Sequence, residues 1–181
     1  MVAAAVVVLV GVAGWMALAY NGLVRRRNRV DATWSDVDVL LRRRHDLVPN
    51  LVITVSGYAA HESATLRAVT NARAAALAAP DPAAKGIAES TLSDNVKSVL
   101  AVAEAYPNLK ASEAFVRLQQ QLTETEDGLE HARQFYNDAV YGYMNATQTL
   151  PTSLVAGLFG FGPREYFQAA GHERAVVPVR P

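Results

Sequence analysis

The sequence predicts an all-α protein: an N-terminal transmembrane helix followed by an antiparallel up-and-down four-helix bundle. Three observations predict it. An uncharged run fills Val2 to Val24, apolar residues recur at three- and four-residue spacing through most of the remainder, and Pro49, Pro80, Pro82 and Pro107 divide that remainder into helix-length pieces. The expected organisation is an anchor over 1–24, a bundle over 25–149, an aromatic membrane-proximal segment over 150–170 and a disordered tail over 171–181.

The anchor comes first. As a helix, its 23 uncharged residues cover about 35 Å at ~1.5 Å each, against a hydrocarbon core of about 30 Å. Ala17-Leu18-Ala19 imitates a signal-peptidase site. The absence of Lys or Arg before the run, and the arginines directly after it, argue against cleavage. Arg25, Arg26, Arg27 and Arg29 place the following domain on the cytoplasmic side by the positive-inside rule. These arginines suit anionic headgroups, and Tyr20 suits the bilayer interface.

Four helices are expected beyond it. The first continues from the anchor, with Val30, Trp34, Val37 and Leu41 on one stripe. Pro49 is read as opening the second, which runs to Ala79. Asp81 caps the third, with Pro82 in its first turn, and Ala88, Leu92, Asn95, Val99, Val102 and Tyr106 form its stripe. The fourth begins after Ser112 and carries a heptad seam of Phe115, Leu118, Leu122, Thr125, Leu129, Ala132, Tyr136, Ala139 and Tyr143. An intramolecular core is the preferred reading of that seam over an intermolecular coiled coil, since three other amphipathic helices need a partner face. The lengths do not close: helix two comes out about 46 Å long and cytoplasmic helix one about 33 Å at ~1.5 Å per residue, so a misplaced boundary is one explanation.

After the fourth helix, Pro151, Gly157, Gly160, Gly162 and Pro163 forbid a long helix. The aromatic residues between them suit a membrane-interface anchor or a loop folded over the bundle end, and both readings stand. The interface residues are then Tyr20, Arg25, Arg26 and Arg27 with Phe159, Phe161 and Phe167. At the junction around Pro49, Arg42, Arg43, Arg44, Asp46 and Asn50 would form a polar tip. Helix capping accounts for part of it, and a partner-binding tip accounts for the excess of arginine.

Chemistry is sparse. There are no cysteines and the net charge is zero, which argues against thiolate sites and against nucleic acid as a partner. His61-Glu62 opens like a zinc-protease helix, but Thr65 stands where the second histidine belongs. His45, His61, His131 and His172 are read as surface or cap residues. No catalytic, cofactor or metal residues are assigned.

Several blocks are nonetheless specific. Tyr20-Asn21-Gly22-Leu23-Val24, Trp34-Ser35, Arg43-Arg44-His45-Asp46-Leu47-Val48-Pro49-Asn50-Leu51-Val52, Gly57-Tyr58-Ala59-Ala60-His61-Glu62, Tyr106-Pro107-Asn108-Leu109-Lys110-Ala111, Tyr136-Asn137-Asp138-Ala139-Val140, Phe159-Gly160-Phe161 and Glu165-Tyr166-Phe167 resemble, in order, the LemA family. The resemblance implies a membrane-anchored helical bundle without an established biochemical activity. It also implies a gene neighbourhood often shared with membrane proteases, and a magnetosome-associated branch linked to membrane organisation. It supplies no catalytic residues.

The leading expectation is a non-enzymatic membrane-anchored scaffold. It presents a bundle surface to an unidentified membrane protein, a protease or envelope-stress component being the kind of partner in view. The alternative is a membrane-organising protein that binds lipid and forms homo-oligomers.

Overall fold

The computed structural model describes residues 1–59 and 61–168. Among these residues the protein is all-helical, with α1 Val2–Ser56, α2 Ser63–Ala78, α3 Pro82–Glu104, α4 Pro107–Lys110, α5 Glu113–Gln148 and α6 Thr152–Leu158. The tail expected from Gly171 lies outside the described residues.

The chain divides into two compact units. Among the described residues, the first combines 1–36 with 134–164, and the second combines 37–133 with 165–168. Both α1 and α5 contribute residues to each unit.

The largest correction to the sequence reading is at Pro49. No helix begins there, because α1 runs through it to Ser56. A proline inside a helix has no N–H for the carbonyl four residues back. That carbonyl belongs to His45, and Arg73 Nε from α2 donates to it at 2.7 Å. A side chain from the neighbouring helix thus replaces the missing backbone donor. The break falls instead over 57–62. Moving the boundary from Pro49 to Ser56 lengthens the first helix and shortens the second, so the expected inequality reverses: α2, with 16 residues, is the short helix, at about 24 Å for ~1.5 Å per residue.

Other signals translate directly. Asp81 accepts a 2.7 Å hydrogen bond from the Ala84 N–H, with Pro82 in the first turn of α3. In α5 the seam residues Phe115, Leu122, Thr125, Leu129, Ala132, Tyr136, Ala139 and Tyr143 are buried, and Leu118 is half-buried. The buried face of α3 is Gly86, Glu89, Leu92, Val96, Val99 and Ala103. It shares Leu92 and Val99 with the predicted stripe but is rotated from it.

The core of the second unit joins Val48, Leu51 and Val55 of α1 to Val69 and Ala76 of α2, Leu92 and Val99 of α3, Leu109 of α4, and Phe115 and Leu122 of α5. The chain after Arg164 returns to this unit. Its backbone passes so close to Gly86 that a Cβ there would lie 2.0 Å from the Gln168 carbonyl oxygen, so only glycine fits.

In the first unit, Val155 and Ala156 of α6 pack with Leu23 of α1, alongside Met16, Ala19 and Phe161. The end of α6 forms a Schellman turn. Gly160 adopts φ 68°, the Phe161 N–H donates to the Ala156 carbonyl at 3.0 Å, and Phe161 closes back on the same apolar cluster. The segment after α5 therefore has two faces. Val155 and Ala156 cover the helices, while Leu150, Leu154, Leu158 and Phe159 are exposed.

Candidate functional site

Two constellations of polar and aromatic side chains stand out, one in each unit. In the second unit, ionisable groups are buried among the core residues. Arg44 and Glu89 have side chains only 4% exposed and pair at 3.4 Å, while His45 Nε2 lies 2.7 Å from the other Glu89 oxygen. Arg44 also pairs with Glu126 at 3.0 Å and donates to the Ser93 hydroxyl at 2.6 Å. The Ser93 hydroxyl lies 3.0 Å from the Glu126 carboxylate. Burying charge is costly unless partners compensate, and here each guanidinium and carboxylate is met by an opposite charge or a hydroxyl. The arrangement ties α1 to α3 and α5, and Arg73 adds α2.

Sequence reasoning missed this network. His45 was expected at the surface or in a cap, and Arg44 in an exposed tip; both are buried. The signal was present in the spacing. Val37, Leu41 and Val48 mark the buried face of α1, and positions 44 and 45 fall on it.

The predicted tip is corrected with it. Arg42, Arg43, Asp46 and Asn50 lie within α1, not at a helix junction, because the helix continues past Pro49. All four are exposed, and together with exposed Val39 and Ile53 they form a stripe along the helix. Arg42 pairs with Asp38 one turn earlier, and Arg43 reaches Glu124 at 3.6 Å.

In the first unit, four of the residues expected at a membrane interface come together. Tyr20 meets Phe159 and Phe161 edge-on, with ring centroids 4.9 and 5.6 Å apart. The Arg27 guanidinium sits 5.4 Å from the Phe161 centroid. Arg25 and Arg26 line an adjacent groove, and Arg26 donates to the Gly142 carbonyl at 3.2 Å. Phe167 is the exception. It is 3% exposed, belongs to the second unit and lies under the Arg133 guanidinium, so its ring is not available to a bilayer.

Nearby, the buried Tyr143 hydroxyl donates to the Gly162 carbonyl at 2.8 Å. Burial pushes its pKa above the ordinary 10.0, with Arg164 and Arg27 pulling the other way. Arg164 is held by Asp31 at 3.0 Å.

Among the described residues no group of three His, Asp or Glu side chains is placed to hold a metal ion. α1 is long and apolar enough to cross a membrane, and its most apolar stretch is wholly unburied.

With this geometry in view, the LemA family model matches residues 33–180. The chain belongs to the LemA family. The match begins after the apolar run and the first arginine cluster, and it takes in the whole buried network. Two curated relatives are the magnetosome proteins MamQ 1 and MamQ 2 of Paramagnetospirillum magneticum (strain ATCC 700264 / AMB-1). Each is 24% identical over 189 aligned residues, covering 89% of this chain and 70% of the relative. This LemA protein is thus similar in sequence to those two over most of its length.

Proposed function

We propose that this LemA protein is a membrane-anchored, non-enzymatic scaffold that presents its second unit to another membrane protein. One observation carries the reading: the helix able to cross a membrane is the same unbroken helix that supplies the core residues Val48, Leu51 and Val55. A chain built this way holds a helical surface at a bilayer. The buried ionisable groups favour scaffolding over catalysis, since Arg44, His45 and Glu89 are engaged with one another. The recognition surface is the α1 stripe of Val39, Arg42, Arg43, Asp46, Asn50 and Ile53, where exposed apolar groups flank charges of both signs. The unit lies on the cytoplasmic side, by the positive-inside argument from Arg25 to Arg29.

The test is a photo-cross-linking residue placed at Ile53 in living cells. A discrete adduct with a membrane protein, lost on Asp46→Arg with helicity unchanged, is expected. Cross-linking that ignores Asp46→Arg and Arg43→Glu removes the stripe from the account.

A second reading has its own support. The two relatives are named magnetosome proteins, and Leu150, Leu154, Leu158 and Phe159 expose apolar surface on and around α6. Self-association on a bilayer through this segment would make the protein a membrane organiser. Phe159→Ser and Leu154→Ser should then abolish oligomers in detergent. A monodisperse monomer before substitution excludes this reading.

A further inference from the structure

In the first unit, two neighbouring cavities along α1 and α5 share Gly22, Arg26 and Gly142 in their linings, and the two are taken together as one groove. The basic half, about 440 Å³, is lined by Gly22, Arg25, Arg26, Arg29, Asp138 and Gly142. The other half, about 470 Å³, has an apolar α1 wall of Trp15, Leu18 and Ala19, while Asn145, Thr149 and Thr152 add polar groups to the lining. Each volume falls in the range of small-molecule sites, roughly 300 to 1,000 Å³.

The glycines keep the groove open. A Cβ on Gly22 would meet nothing within 4 Å, and one on Gly142 would approach only the Arg26 guanidinium, at 3.5 Å. Either position therefore admits a side chain, and the space that such a side chain would fill is the groove itself.

The charges are uncommitted. Arg26 is held in place by the Gly142 carbonyl, but the Arg25 and Arg29 guanidiniums have no ion-pair or hydrogen-bond partner among the described residues; the Thr33 hydroxyl engages Arg29 through its carbonyl alone. Asp138 is the one carboxylate in the lining, against three guanidiniums. A net positive pocket at one end, running into a tryptophan-and-leucine wall at the other, matches an amphiphile with an anionic head. The apolar wall belongs to the stretch of α1 able to cross a membrane.

We infer that this groove binds one anionic glycerophospholipid, its phosphate on Arg25, Arg26 and Arg29 and an acyl chain along Trp15, Leu18 and Ala19. The site rests on the membrane-anchored reading but not on the scaffold role, so loss of the Ile53 cross-link would leave it standing. It differs from the general attraction of a basic cluster to a charged bilayer, because it depends on shape as well as on charge.

That difference is the test. The full chain is purified in a mild non-ionic detergent. Native mass spectrometry then follows bound lipid as dioleoylphosphatidylglycerol or dioleoylphosphatidylcholine is added. One phosphatidylglycerol per chain is expected under conditions that strip phosphatidylcholine. Arg29→Gln and Arg25→Gln should each weaken retention about fivefold, the worth of one interfacial basic charge. Gly142→Leu fills the groove without removing any arginine from the chain, and it should abolish retention. Arg27→Gln removes a charge engaged with Phe161 outside the groove and should leave retention intact. Gly22→Leu blocks the opposite wall and carries the test if the Gly142 variant loses helicity.

Three results overturn the proposal. Either leucine variant, if folded, could retain lipid as the unsubstituted chain does. Arg27→Gln could weaken retention as much as Arg29→Gln, the mark of diffuse charge. Inorganic phosphate could displace the lipid fully, the mark of an anion site with no acyl contribution.

Discussion

Glu89 sets the energetics of the second unit at the scale of a single residue. Its two oxygens serve Arg44 and His45 of α1 at once, with almost no exposure. Removing one member of a buried ionic group strands the others, at about 3–5 kcal/mol. Glu89→Ala should therefore lower the denaturation midpoint of the full chain in detergent by that equivalent. Glu124→Ala breaks an exposed contact with Arg43 and should cost no more than about 1 kcal/mol. Equal effects would contradict the buried network. Tyr143 gives a prediction in pH. Its folded pKa lies above the ordinary 10.0 because burial disfavours the phenolate. Its contribution is therefore whole below pH 10 and is lost as pH rises through the elevated folded value. Tyr143→Phe should flatten the fall in stability in that alkaline window, and an unchanged alkaline profile would contradict it. At this scale the sequence was legible wherever a residue's type agreed with its place. Tyr143 and Thr125 were placed in the α5 seam and are buried there. Arg44, His45 and Glu89 were not placed in the core, because a charged side chain reads as solvated until its partner is known. Glu89 follows Arg44 by 45 residues, and no local pattern joins them.

Pro49 and Arg73 show the same limit at the scale of elements. Proline usually opens or ends a helix, and that rule placed a boundary where none exists. The decisive fact is a guanidinium supplied from another helix, which periodicity along one helix does not contain. The pair makes a sharp prediction. Arg73→Ala leaves the buried His45 carbonyl without a donor and should cost about 1–3 kcal/mol. In a Pro49→Ala background, the restored N–H supplies that donor and the cost should largely disappear. A double-mutant cycle by chemical denaturation should show coupling of about 0.5–3 kcal/mol. Strict additivity would contradict the replacement. Helix ends with their own local chemistry were easier to read. Asp81 and Pro82 open α3, and α5 begins at Glu113 directly after Ser112. The short α4 and α6 escaped, since Pro107–Lys110 and Thr152–Leu158 are too brief to show a stripe. For the segment around α6 the sequence offered an interfacial anchor or a cover. Each reading describes one face: Val155 and Ala156 turn inward, Leu154 and Leu158 outward.

At the scale of the whole molecule, the all-α class and the apolar N-terminal helix were readable from the outset, because both rest on long periodic or uncharged stretches. The division into two units was not, since each unit is assembled from segments far apart in the chain. Of the candidate site, the aromatic and basic groups of the first unit were named from sequence, and Tyr20, Arg27, Phe159 and Phe161 do meet. The buried network of the second unit required the structure. The central claim is that α1 crosses the bilayer and carries the rest of the chain on the cytoplasmic face. The protein lacks cysteine, so single-cysteine variants report position without background. The direct measurement is labelling of Ala3→Cys and Ser112→Cys by a membrane-impermeant maleimide, in intact cells and after lysis. The account predicts that Ala3→Cys labels in intact cells and that Ser112→Cys labels only after lysis. Both variants reacting alike, or the order reversed, would contradict it.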